Sequence, residues 1–210
     1  MKIISFFPST TEGLKFFKSV VVSSCFCWLA ACQSDYSRMV KQELDKGIRQ
    51  DSLLFGIEFG DTRNAFYGKC YDLNKDSLIT QGPNGTSVQY LFVDSLVHTR
   101  PTRMRLLFFP TFDEQEEIAE MKMEFSYQGW APWNRELQSD SLERKLILLL
   151  EKWYEGNPFI TANVREMKVP AKVDGNRRIL IDIKDAQSVR VMVQDIWHPM
   201  FKHSITHAEE

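Results

Sequence analysis

The chain has 210 residues, 43% hydrophobic and 26% charged, a balance that excludes wholesale disorder and supplies enough apolar material for a buried core. Its 26 basic and 28 acidic residues leave a net charge of −2, which excludes the basic excess expected of a nucleic-acid binder. Nowhere does an apolar run reach the roughly 18 residues that a bilayer-spanning helix needs.

The first segment, "MKIISFFPSTTEGLKFFK", is net positive through Lys2, Lys15 and Lys18 against Glu12, and "SVVVSSCFCWLAA" follows as a short apolar core. That core ends in Leu29, Ala30, Ala31 and Cys32. Small residues at the two positions before the cysteine let the chain lie extended in a peptidase cleft, and the Cys32 thiol can be alkylated by a diacylglycerol. Residues 29–32 resemble the lipobox of bacterial lipoproteins. The resemblance implies that residues 1–31 are a signal peptide and that Cys32 becomes the lipidated first residue, anchored to the lipid bilayer by two or three chains. Gln33, standing where an Asp would imply retention at the inner membrane, implies the outer membrane, on either face. Cys25 and Cys27 leave with the leader, the mature part carries a net charge of −4, and Cys70 remains as a lone thiol without an internal disulfide partner.

Residues 32–52 read as a lipidated tether, polar from Gln33 to about Gln50, in which Met39, Val40 and Leu44 suit a short amphipathic helix. The folded domain is expected over 53–200, with a polar tail at 201–210. Leu53 to Phe59 has the composition of a strand, broken by Gly60, and Asp61 or Thr62 can cap a helix that carries Phe66, Cys70 and Leu73 on one face. "QGPNG" at 81–85 is a turn and "TSVQYLFV" a strand. "TRMRLLFF" and "EIAEMKMEFSY" form the arms of a hairpin. In the second arm Ala119, Met121, Met123, Phe125 and Tyr127 alternate with Glu120, Lys122, Glu124 and Ser126, giving one wet and one core face.

The loop "GWAPWNRELQ" precedes the longest helix, which starts at Asp140 with Glu143 in a capping-box arrangement. Leu142, Leu146, Leu149, Leu150 and Trp153 form its apolar stripe, and Gly156 with Pro158 stops it. "PFITANVREMKV" reads as one strand. "RRILIDIKDAQSVRVMVQDI" reads as a second hairpin with Ile179, Ile181 and Ile183 on one face and Val189, Val191 and Val193 likewise. The fold class expected from this order is α+β, with two main helices on one face of antiparallel sheet and room for two similar helix-plus-hairpin halves, about 53–130 and 137–197.

The stretch "FGIEFGDTRNAFYGKCYDL" and its continuation, residues 54–93, is similar to the small lipoproteins of the BamE and β-lactamase-inhibitor-protein-like group. "LNKDSLITQGPNGTSVQY" within it looks like lipoproteins of Bacteroidota, a resemblance that implies an origin and no activity.

No nucleophile elbow, zinc spacing, phosphate loop or dinucleotide fingerprint occurs, so no catalytic residue, metal site or cofactor is assigned and the chain reads as non-enzymatic. His198, His203 and His207 cluster near the end and fit a solvated tail better than a rigid zinc site; His98 stands apart. The acidic run Asp113 to Glu117 lacks the Gly-containing loop of a calcium site and reads as a hairpin tip. Trp130 and Trp133 are the candidate binding residues, because indoles in a surface loop anchor protein partners or stack on sugars; the competing expectation is that both fold back onto the core. The expected function is a lipid-anchored interaction module for an envelope protein, the alternative a module that binds a glycan or small ligand.

Overall fold

The computed structural model describes residues 34–94, 102–164 and 167–206. Among them lie four α-helices and eight strands. In chain order they are α1 (Asp35–Asp45), α2 (Arg63–Lys75), β1 (Ile79–Gln81), β2 (Val88–Asp94), β3 (Thr102–Phe112), β4 (Ile118–Tyr127), α3 (Ser139–Trp153), β5 (Ile160–Val164), β6 (Met167–Asp174), β7 (Arg177–Ile183), β8 (Ser188–Asp195) and α4 (Pro199–Thr206). All eight strands belong to one antiparallel sheet in the order β1-β2-β3-β4-β8-β7-β6-β5.

Alternation sorts the sheet into two faces. Register places Phe108, Met123, Val191 and Ile181 side by side across β3, β4, β8 and β7, and Leu106, Phe125, Val189 and Ile183 in the next row. This closed face is covered by α3, whose Leu142, Leu146 and Leu150 are fully buried, while Trp153 meets Phe92 and Phe125 at ring distances of 6.0 and 6.1 Å. Each such side chain contributes about 1.5–3 kcal/mol on leaving water. Beside β1, α2 inserts Phe66 edge-on against Phe109 and Phe112. Its N-cap is Thr62, whose hydroxyl accepts from Ala65 N at 3.2 Å.

The expected arrangement of two main helices on one face is contradicted. β4 and β8 pair over seven residue positions and join both groups of strands into a single sheet, so two separate helix-plus-hairpin halves do not form. The helices are short and divided between the faces: α3 lies on β7 and β8 of the closed face, and α1 lies on β5 and β6 of the opposite one. The physical reason is that α1 has its own apolar stripe, Tyr36 and Val40, which is buried against Ala162, Ala171, Val173 and Ile196. The segment expected as a tether therefore belongs to the fold, and from Asp35 onward the chain is one compact unit.

Two further expectations change. Leu53 to Phe59 forms a buttress instead of a strand: Phe55 and Gly56 take positive φ of 54° and 74°, which turns the chain, and Leu53, Leu54, Ile57 and Phe59 are all buried. The single strand expected over 158–169 is divided into β5 and β6, which pair from Ile160↔Ala171 to Val164↔Met167. α3 starts one residue before Asp140, and its N-cap is Gln138, whose side-chain amide donates to the carbonyls of Ala131 and Asn134 at 2.9 and 3.1 Å.

A buried polar cluster fixes α1 to the β6–β7 turn. Glu43 accepts from Gly175 N at 3.0 Å and Asn157 Nδ2 at 2.7 Å, with Lys46 Nζ at 2.5 Å. Burial works against the Glu43 carboxylate, yet these donors outweigh it and hold the group below its ordinary 4.5. Gly175 sits at φ 57°, where a Cβ would strike the carbonyl of Ile48, so only glycine fits this turn. Beneath it Lys172 pairs with Asp174 at 2.9 Å, and the Arg177 guanidinium stacks over Tyr154 at 4.7 Å.

Candidate functional site

Among the described residues the second face of the sheet is open away from α1 and from Phe109, against which α2 packs Phe66. Its strands supply Leu91 and Val93 from β2, Arg103, Arg105, Leu107 and Phe109 from β3, Lys122 and Glu124 from β4, Arg190 and Met192 from β8, and Leu180 and Asp182 from β7. Leu91 and Val93 are 41% and 52% exposed, unusual for β-branched and leucine side chains in the body of a sheet.

Two concavities lie on this face. The larger, about 710 Å³, is lined by Leu107, Phe109, Lys122, Glu124 and Lys184. The smaller, about 260 Å³, is lined by Val164, Val169, Arg178, Leu180, Met192 and Gln194. Arg190 stands in the wall of both, so the two adjoin as a trough with two hollows across the strands.

Three ion pairs pave it: Lys184 with Glu124 at 2.7 Å, Arg190 with Asp182 at 2.8 Å, and Lys122 with Glu120 at 3.5 Å. In each the acid is short and close to the sheet while the base reaches outward. Lys184, Arg190 and Lys122 side chains are 44%, 48% and 59% exposed against 28%, 20% and 7% for their acids. The outermost layer of the trough is therefore cationic over an acidic floor. The Lys184–Glu124 and Arg190–Asp182 pairs, partly exposed on both sides, are worth about 0–1 kcal/mol, so an incoming group can exchange for either partner at little cost.

The end under α1 is built differently. Arg178, 1% exposed, donates from Nε and Nη2 to Gln194 Oε1 at 3.0 and 2.7 Å and from Nη1 to the Tyr36 hydroxyl at 3.1 Å. Gln194 Nε2 in turn donates to Glu120 at 2.7 Å, and Glu120 accepts from the Thr111 hydroxyl at 2.9 Å. This relay ties helix α1 to four strands, β7, β8, β4 and β3, and holds one wall of the smaller cavity rigid.

The two tryptophans singled out by sequence separate. Trp130 is half-buried against the closed-face core, and its Nε1 donates to Ala186 O at 3.2 Å and Gln138 Oε1 at 3.3 Å. Trp133 is 85% exposed. Neither lines the trough. Cys32 lies outside the described residues, as do His98 and His207. Cys70 is half-buried against the core, and burial pushes its thiol up to about 11. His198 Nε2 meets Asp113 at 2.9 Å, and Asp113 also accepts from the backbone N–H groups of Gln115 and Glu117, so the acidic run begins in a closed loop. Among the described residues no three His, Cys, Asp or Glu come together as metal ligands, and no helix is long and apolar enough to cross a membrane.

Sequence reasoning missed Arg103, Arg105, Leu107, Phe109 and Arg190. The alternation of Arg103 and Arg105 with Met104 and Leu106 was a readable signal, but the run "LLFF" conceals which of its residues faces out. No protein-family model, curated protein or solved structure matches the chain.

Proposed function

We propose that the chain is a lipid-anchored protein of the cell envelope, held at the outer membrane through Cys32, whose domain is a non-catalytic module that docks a protein partner on the open sheet face. One observation carries the docking reading: a sheet whose first face holds the packed core presents Leu91, Val93 and Leu107 among charged side chains on its second. Lys184, Arg190 and Lys122 of the trough are matched in ion pairs, an arrangement suited to binding more than to proton transfer. The anchor rests on the lipobox at Leu29 to Cys32.

Affinity capture from the native envelope after mild crosslinking tests it, with the intact mass of the mature N-terminus read in the same sample. A diacylated or triacylated Cys32 is expected, together with a defined partner that is lost in Leu91→Lys/Leu107→Lys and retained in Leu148→Lys, which alters an exposed position of α3. An unmodified N-terminus would remove the anchor; equal capture by both variants would remove the docking face. The exposed Trp133 indole supports a second reading, stacking on a glycan, in which Trp133→Ala would abolish binding to an envelope glycan array and leave protein capture intact.

A further inference from the structure

The open face differs in charge from the chain that carries it. Arg103, Arg105, Lys122, Lys184 and Arg190 project from it against Glu120, Glu124 and Asp182, whereas the whole chain is net −2. The excess grows with height above the sheet, because the acids lie at the floor and the bases at the rim. Arg103 is exposed, and Arg105 donates to the Ser126 hydroxyl at 3.3 Å, a neutral acceptor. Both arginines stand directly across from apolar side chains, Val93 opposite Arg103 and Leu91 opposite Arg105. Cationic and apolar groups thus alternate at cross-strand spacing, about 5 Å.

We infer that the occupant of this face is an extended protein segment in which acidic and large apolar residues take turns at every second position, so that both kinds project from one side, its carboxylates meeting Arg103, Arg105, Lys122 and Arg190 and its apolar side chains entering the trough beside Leu107. This inference rests on the docking function proposed above and specifies its partner. Leu107 lines the concavity, so a planar anionic bilayer would touch the rim alone and leave Leu107 uncovered. Nucleic acid would bring phosphates down onto Glu124 and Asp182 at the floor, a like-charge contact that a spaced row of carboxylates avoids. Attraction to the rim steers the segment in, and the apolar contacts hold it.

The test uses the full chain and a fluorescein-labelled peptide repeating Asp-Ser-Leu-Ser-Glu-Ser-Leu-Ser, which places acids and leucines on one side when extended, read by fluorescence anisotropy. The control peptide carries Lys in place of Asp and Glu, and phosphatidylglycerol vesicles are tested by co-sedimentation. The acidic peptide should bind at least about tenfold more tightly than the basic one, weaken as salt rises past a Debye length of about 8 Å, and lose about tenfold in Arg103→Glu/Lys122→Glu. The melting temperature of that variant should stay within about 2 °C, since both side chains are exposed. Equal binding of the two peptides, or an unchanged affinity in the variant, overturns the inference. Vesicle binding that depends on Arg103 and Lys122 without peptide binding overturns it in favour of a lipid surface. The two levels stay separable: a partner still captured by Arg103→Glu/Lys122→Glu and lost in Leu91→Lys/Leu107→Lys defeats the acidic segment and leaves the docking face standing, whereas no capture dependent on either variant defeats the docking face itself.

Discussion

The two faces of this one sheet are held by different physics. On the closed face, Met121, Met123, Phe125 and Tyr127 of β4 and Val189, Val191 and Val193 of β8 are all at most 1% exposed, and they are covered by the leucines of α3 and by the buttress of Leu53 to Phe59. Its stability is a matter of apolar volume fitted to apolar volume. On the other face α1 is fastened over β5 and β6, tied by Tyr36 to Arg178 and by Glu43 to Gly175 and Asn157, and α2 packs Phe66 on Phe109. The remainder is a trough whose ion pairs contribute little to folding. The difference separates the tasks: stability resides where packing is dense, and recognition where charged side chains can exchange partners.

The comparison breaks most sharply under truncation. Leu146→Ala, at a fully buried position of α3, should cost about 2–5 kcal/mol in urea unfolding, whereas Leu91→Ala, on the open face, should stay within about 0.5 kcal/mol. Equal costs would mean that the open face is packed by something. Next in size, Tyr36→Phe removes the one hydrogen bond that the Tyr36 hydroxyl receives from Arg178 and should cost about 1.5–3 kcal/mol, with earlier proteolysis at the N-terminal side of α1. Within the tryptophan loop the same contrast recurs on a smaller scale. Trp130→Ala should destabilise by about 1–2 kcal/mol because the indole packs on the closed-face core, and Trp133→Ala by less than about 0.5 kcal/mol.

Acid should loosen the fastening of α1. A carboxylate held below its ordinary value stabilises the fold above that value, and the contribution is lost as pH falls through the lowered one. Glu43 and Asp113 are both of this kind, Glu43 against an ordinary 4.5 and Asp113 against an ordinary 3.8. Stability should therefore decline below about pH 4.5. In Glu43→Gln it should start lower and decline less; an identical slope in the variant would separate Glu43 from the effect. The smallest effect concerns Cys70: with its thiol pushed up to about 11, alkylation at neutral pH should be slow in the folded protein and accelerate in urea.

What the sequence revealed follows the same division. The strict alternation of β4 separated Lys122 and Glu124 from the core side, although Glu120 and Ser126, expected with them on the wet face, are buried, and the leucine stripe identified α3; both signals are local and periodic. The trough is not local. Glu124 meets Lys184, and Glu120 meets Gln194, only because β4 pairs with β8 across more than 60 residues of chain, and strand order is not written in any single window. Residues 35–45 suggest a tether because their apolar residues are few; Tyr36 and Val40 suffice once Glu43 is satisfied by distant backbone. Trp130 and Trp133 were equivalent by composition, and their separation depends on Gln138 and Ala186, which accept from the Trp130 indole.

The central claim, that the open face is where a partner docks, is tested most directly by placing a photo-crosslinkable amino acid at Leu107, and separately at Leu148, in the full chain expressed in its native cells. The account predicts a discrete crosslinked species from position 107 and none from position 148. Crosslinks from both positions alike, or from neither, would contradict it.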